Sequence, residues 1–256
     1  MGLFDTHAHL YDKAFDRDRD EVIQRLRKTL DYVVIPSEDL TTSRKSLALA
    51  EKYDFLYCAV GIHPQETGEA SEEILKEIGD LAQSSPKVKA IGEIGLDYHY
   101  LYSDKETQKT WFGRQIELAK DLDLPFLIHD REAHGDTLSI LKEHRGSAMR
   151  GILHCYSGSA EMAQEFMKLG FYISFAGPVV FPRSTRLKEA AASVPLDRLL
   201  IETDSPYLTP PPNRGKRNDP SNVIYVAEEL ARIKGIPVEE LIEITKKNGM
   251  AIYGIE

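Results

Sequence analysis

Cysteine is nearly absent: the 256 residues hold two, Cys58 and Cys155, so no disulfide framework can staple the fold. Both lie in apolar runs (FLYCAV and GILHCY), where a thiol behaves as a small hydrophobe, and a reducing compartment is expected. Long hydrophobic runs are lacking too. No window approaches the ~20 apolar residues of a membrane span. The opening MGLFDTHAHL has no basic segment followed by an apolar stretch, so no signal peptide is expected and the protein reads as cytoplasmic. Positive charge is in deficit, with 32 Lys and Arg against 41 Asp and Glu and a net charge of −9. That balance argues against a module that coats nucleic acid through a broad basic surface. It leaves room for an enzyme that admits nucleic acid at one cleft. No GxGxxG, P-loop or GxSxG motif occurs. Ser157 and Ser205 have no separate histidine–acid relay, so a serine nucleophile is not expected. No membrane or protein partner is indicated.

What is present is a repeating pattern. Hydrophobic residues make up 42% and charged residues 29%, as in soluble globular proteins. Eight short apolar runs occur: 2–4, 32–36, 55–62, 88–92, 124–128, 150–156, 171–177 and 198–203. They start about 28 residues apart on average, the size of a strand, a helix and two loops. Near-continuous apolar runs suit parallel strands covered on both faces. Between them, 16–30 places Val22, Leu26 and Leu30 on one helical face. Segment 71–82 opens with Ser71 and the acids Glu72 and Glu73. Segment 159–170 opens with Ser159 and closes with Gly170. Segment 209–220, TPPPNRGKRNDP, reads as a long loop, and 237–255 as a final helix. Eight such units within residues 1–256 form one domain, either a closed barrel or an open doubly wound sheet; periodicity alone does not choose.

Chemistry is written at the ends of the runs. Asp5-Thr6-His7-Ala8-His9 follows the first, His63 the third, and Glu93 the fourth. His129, His154 and Asp204 end the fifth, sixth and eighth. Parallel α/β sheets collect functional groups at the carboxyl ends of their strands. His7 and His9 are two apart and share a strand face, so both can reach one ion. In a closed barrel, His7, His9, Glu93, His129, His154 and Asp204 would meet at one mouth. Four imidazoles and two carboxylates exceed one tetrahedral ion and suit two divalent cations. His63 either touches substrate or shapes the GIHP turn. Glu202 shares the face of Asp204 but sits deeper. His99, His134 and His144 read as surface residues.

The segments FDTHAHL, GIHP, GEIGLDY, IHDRE, LHCYSG, IETDSPYL and RNDP, spanning residues 4 to 220, resemble the signatures of the TatD family of metal-dependent hydrolases and deoxyribonucleases. The resemblance implies a TIM (β/α)8 barrel of the amidohydrolase superfamily. It implies one ion on His7, His9, Glu93 and Asp204 and a second on Glu93, His129 and His154. Asp204 would accept a proton from the attacking water, and with Glu93 would form the catalytic pair. Glu93 would stand where superfamily members often carry a carboxylated lysine.

The activity implied is metal-dependent hydrolysis of DNA phosphodiesters, at single strands or 3′ ends. Arg131, Arg217, Asn218 and His63 are the candidate substrate contacts. Arg183, Arg186, Arg214 and Lys216 are expected near a cationic pocket, and Tyr98 and Tyr156 are possible stacking rings. Imidazole-rich ligands favour Zn, Mn or Ni by intrinsic affinity, whereas the family is commonly assayed with Mg. Two other readings stay open. One is hydrolysis of a small ester, amide or aminoacyl-tRNA at the same centre; the other is a metal-dependent binding protein.

Overall fold

The apolar runs become strands that pair in the order in which they occur. The computed structural model describes residues 2–145 and 149–256. Its strands are β1 (Leu3–Asp5), β2 (Leu30–Ile35), β3 (Leu56–Val60), β4 (Val88–Asp97), β5 (Phe126–Arg131), β6 (Gly151–Leu153), β7 (Phe171–Phe175) and β8 (Leu199–Ile201). Neighbours in sequence are neighbours in the sheet, and every pairing is parallel. Parallel neighbours need crossovers. Helices α1 (Arg19–Leu26), α2 (Leu40–Lys52), α3 (Glu72–Ser84), α4 (Lys105–Asp121), α5 (His134–Glu143), α6 (Ala160–Lys168) and α7 (Thr185–Ser193) supply them. Helices α8 (Val223–Lys234) and α9 (Val238–Tyr253) follow β8. The sheet closes where its first and last strands meet. There Thr6 N donates to Ile201 O (3.2 Å), Asp204 N to His7 O (2.9 Å) and His9 N to Ser205 O (2.7 Å). The result is the (β/α)8 barrel.

Alternation along the strands builds two cores. Leu3, Val33, Leu56, Ile91, Phe126, Leu153, Ile173 and Leu199 pack outward with the helices. Phe4, Val34, Ala59, Ala90, Leu127, Ile152 and Leu200 point inward and fill the lumen. Ile252, Tyr253 and Ile255 of the last helix and its exit close this inner layer, and Tyr253 Oη donates to Thr6 O (3.1 Å). The barrel is therefore solid at that end, and ligand chemistry is left to the other.

Several boundaries differ from expectation. The run 88–92 extends to Asp97, with a register shift between Ile91 and Ile94. The run 150–156 shrinks to three residues, because Cys155 turns out of the strand at φ 41°. The helix expected over 16–30 covers Arg19–Leu26. The caps hold: Ser71 Oγ accepts from Ile74 N and Ser159 Oγ from Met162 N, each at 3.3 Å. No helix among the described residues is long and apolar enough to cross a membrane.

Candidate metal centre

Two residues above the apolar layer of the lumen the chemistry changes. Leu127 and His129 share one face of β5, as Ile152 and His154 share one face at β6. Glu93 enters at the register shift in β4. His7 and His9 follow β1, and Asp204 follows β8 at the closing seam. These side chains converge around Glu93. Its Oε1 lies 2.8 Å from His129 Nδ1, 2.8 Å from His154 Nε2 and 3.6 Å from His63 Nε2. Its Oε2 faces the other way, 3.4 Å from His7 Nε2 and 3.8 Å from His9 Nε2. Asp204 Oδ1 completes that side at 3.5 Å from His7 Nε2 and 3.3 Å from His9 Nε2.

The nitrogens crowd one another. His7 Nε2 and His9 Nε2 are 3.1 Å apart, and His129 Nδ1 and His154 Nε2 3.2 Å. Each close pair has room for one hydrogen, so lone pairs point at a shared space. Three groups of potential ligands form among the described residues: His7, His9 and Asp204; His63, Glu93 and His129; and His7, His154 and Glu202. His7 Nδ1 and Glu202 Oε2 are buried without hydrogen-bond partners. Buried imidazoles and carboxylates with converging lone pairs fit divalent cations.

Electrostatics and outer contacts hold this arrangement. Burial works to raise the Glu93 carboxyl, but His154, His7 and the bonds from His129 hold it well below the usual range. Asp204 is likewise lowered against burial by His9 and His7. For His9, burial favours the neutral ring, yet Asp204 and Glu93 push it up to about 9. Burial and neighbouring His129 depress His63 to about 3; its Nδ1 accepts from Gln65 N at 3.2 Å.

Partners also orient these imidazole rings. His129 Nε2 lies 3.1 Å from Asp97 Oδ2, and His9 Nδ1 3.0 Å from Tyr11 Oη. His154 Nδ1 lies 3.3 Å from Glu202 Oε1, which also accepts from Cys155 N at 2.7 Å. Gly95 sits at φ +137°, where a Cβ would stand 2.0 Å from His129 O. Only glycine permits that approach. Asp204 itself takes a left-handed backbone, φ 57°, the kind of local strain that structures retain at functional positions.

The whole chain from residue 4 to 254 matches the family model described as TatD related DNase. The chain belongs to the TatD family. It is 47% identical to the Bacillus subtilis protein named uncharacterized metal-dependent hydrolase YabD, over 99% of both chains. It is 34% identical to the Erwinia amylovora protein named 3′-5′ ssDNA/RNA exonuclease TatD, over 99% of this chain and 100% of that one. Among solved structures, that of YjjV, a TatD homologue from Escherichia coli K12, superposes with a TM-score of 0.93 at 30% identity, covering 99% and 98% of the two chains. The protein is a metal-dependent hydrolase of the TatD family, with His, Asp and Glu groups able to hold metal.

Of the substrate contacts suggested by sequence, this TatD-family chain brings some to the mouth and not others. His63 and Arg131 line a cavity of about 1020 Å³ above the ligands, as does Arg186. Arg217 does not: it pairs with Asp18 (2.7 Å), donates to Ala14 O (2.8 Å) and stacks on Phe15. Asn218 is fully buried, and its Nδ2 donates to Thr203 O (3.0 Å) and Tyr207 O (2.6 Å). It shapes the loop that carries Asp204. Arg214 lies over Phe181. Tyr98 Oη donates to Asp136, and buried Tyr156 donates to Ser159 O.

The histidines read as surface residues divide. His99 is exposed beside Glu132. His144 is half-buried against Glu117, and His134 lines the cavity 2.8 Å from buried Asp130. Sequence reasoning also missed Glu38 and Asp97 on the cavity wall. Asp97 stands four residues after Glu93 in the same GEIGLDY segment. Glu38 carries no motif of its own.

Proposed function

We propose that this hydrolase cleaves phosphodiester bonds at the ends of single-stranded nucleic acid, with DNA 3′ ends favoured, using two divalent cations. The observation that carries the proposal is the orientation of Glu93. One of its oxygens faces His7 and His9, and the other faces His129 and His154. His7, His9 and Asp204 would hold one ion, His129 and His154 the other, with Glu93 between them; Zn, Mn and Mg are the candidates. Bound there, the ions lower the pKa of the attacking water and offset charge on the phosphate oxygens.

The chain supplies the rest. The Asp204 side chain is 14% exposed, against 3% for Glu93. Asp204 is therefore the more accessible of the two carboxylates and takes the water's proton on a carboxylate oxygen. His63 is neutral, and because its Nδ1 accepts from Gln65, its Nε2 carries the hydrogen and can donate to a substrate oxygen. Arg131 presents a planar, permanently charged donor to the phosphate. Arg217 is committed to Asp18, and Arg186 is the second guanidinium on the cavity wall. The 3′-5′ exonuclease name of the Erwinia relative supports the choice of substrate.

A second reading has its own support. Six carboxylates line the mouth (Glu38, Glu93, Asp97, Asp130, Glu132 and Asp204) against two guanidiniums, Arg131 and Arg186. A small ester or amide needs fewer cations than a phosphodiester. End-labelled oligonucleotides, esters, amides and aminoacyl-tRNA, offered to stripped protein with Zn, Mn or Mg restored singly, separate the two. Nucleotide release is expected only with metal, and Asp204→Asn should slow it about 10²- to 10⁴-fold. Turnover of esters or amides without any nucleotide release would sink the phosphodiesterase reading.

A further inference from the structure

The large apolar side chains that stand exposed among the described residues are Tyr100, Leu101, Tyr102, Tyr207 and Leu208. All five lie on two loops, the one after β4 and the one after β8. Strands four positions apart in an eight-stranded barrel lie across its axis. The two loops therefore rim the catalytic mouth from opposite sides, and Tyr100, Tyr207 and Leu208 line its cavity. Apolar surface gathered at one place marks a binding surface.

The rings are arranged for stacking. Tyr100 and Tyr102 are parallel to within 6°, with centroids 5.9 Å apart. The Arg131 guanidinium lies over Tyr100 at 4.8 Å. Asp97, which also holds His129, fixes the backbone under the first ring: its Oδ1 accepts from His99 N and Tyr100 N, both at 2.9 Å. Tyr102 is 77% exposed. Across the mouth, Tyr207 stands edge-on to His9 at 5.8 Å.

We propose that Tyr100 and Tyr102 form a base-stacking platform that makes the enzyme select single strands; this rests on the phosphodiesterase reading above. Bases of the strand lie on the two tyrosines, their phosphate meets Arg131, and the terminal linkage falls at the metal centre. Aromatic stacking tolerates any base, because every base has a π face. Paired bases in a duplex keep their faces occupied, so a duplex gains nothing from the platform. The rings that sequence suggested for stacking, Tyr98 and Tyr156, are committed elsewhere by their hydroxyls.

The test compares an oligothymidylate of about ten residues, an abasic strand of equal length and charge, and methyl p-nitrophenyl phosphate. In Tyr100→Ala/Tyr102→Ala protein, the ratio of kcat/KM on the oligothymidylate to that on the small diester should fall at least tenfold. Tyr100→Phe/Tyr102→Phe should restore it, because the ring faces return. Wild type should prefer the oligothymidylate over the abasic strand, and the Ala variant should not. An unchanged ratio, or equal use of both strands by wild type, overturns the platform. If wild type hydrolyses no phosphodiester, the activity reading fails by itself, and binding decides the platform. Equal affinity of metal-loaded protein for the two strands, read by fluorescence anisotropy, would then reject it. A wild-type dimer that the Ala variant dissociates, with strand affinity unchanged, would make the patch a contact between copies and also overturn the proposal.

Discussion

Glu93 and His9 show how tightly charge is balanced at single residues. The Glu93 carboxylate stays ionised in near-complete burial because imidazoles surround it. In the metal-free chain His9 holds its proton up to about pH 9, since Asp204 and Glu93 outweigh the cost of burial. A protonated ring cannot ligate, so loading an ion near neutrality must expel that proton. The His9 contribution to metal affinity should therefore rise with pH up to about 9 and flatten above it, while His129 and His154, also held above the usual imidazole range, add to the rise. From this one group the gain is up to tenfold per unit below the plateau. Proton release on adding Zn or Mn to stripped protein in weak buffer, followed between pH 6 and 10, measures it. Release near zero at pH 7 would show that His9 is already neutral.

At the scale of elements, β4 places both the central carboxylate, Glu93, and the support for β5. Gly95→Ala would set a methyl against His129 O at a φ that side chains rarely adopt. The expected result is a lowered Tm and weaker metal binding together, measured by thermal melts with and without metal. Loss of neither would show that β4 and β5 can part without moving His129. The strand ends were the legible part of this architecture. Leu127–His129 and Ile152–His154 repeat the strand period across the change from apolar to polar, and that period is visible in the chain itself. Arg217 and Asn218 were misplaced for a physical reason. A polar side chain in a long loop can turn to the loop's own backbone or to a neighbouring loop, as these two do, and sequence does not record which. Asp130 and Glu38 were missed because their places on the cavity wall come from tertiary proximity. The end of β6 was overestimated because Cys155, though apolar in context, turns out of the sheet.

For the whole molecule, net charge and local charge tell one story. The chain carries −9, and its mouth also has more carboxylates than guanidiniums. Without ions the mouth repels phosphate; two divalent cations would cancel that excess locally and leave the rest of the surface acidic. With Arg131 and Arg186 the guanidiniums at the cavity among the described residues, few counterions are displaced from a bound strand. The slope of log K against log salt for oligonucleotide binding to metal-loaded protein should be no steeper than about −1.4, two contacts at about −0.7 each. A slope near −4 would reveal a wider basic track than the cavity offers.

The closing seam has a consequence in time as well as in space. His7 and His9 belong to the first strand's exit, but Asp204, whose N–H bonds His7 O, belongs to the last. At translation rates of about 5–20 residues per second, the histidine pair waits roughly 10 to 40 s for that partner. During that interval the emerging chain has no closed site around the pair. Joining the last strand to the first and bringing Asp204 to the histidine pair are thus one event, so the group of His7, His9 and Asp204 exists only once the barrel has been finished.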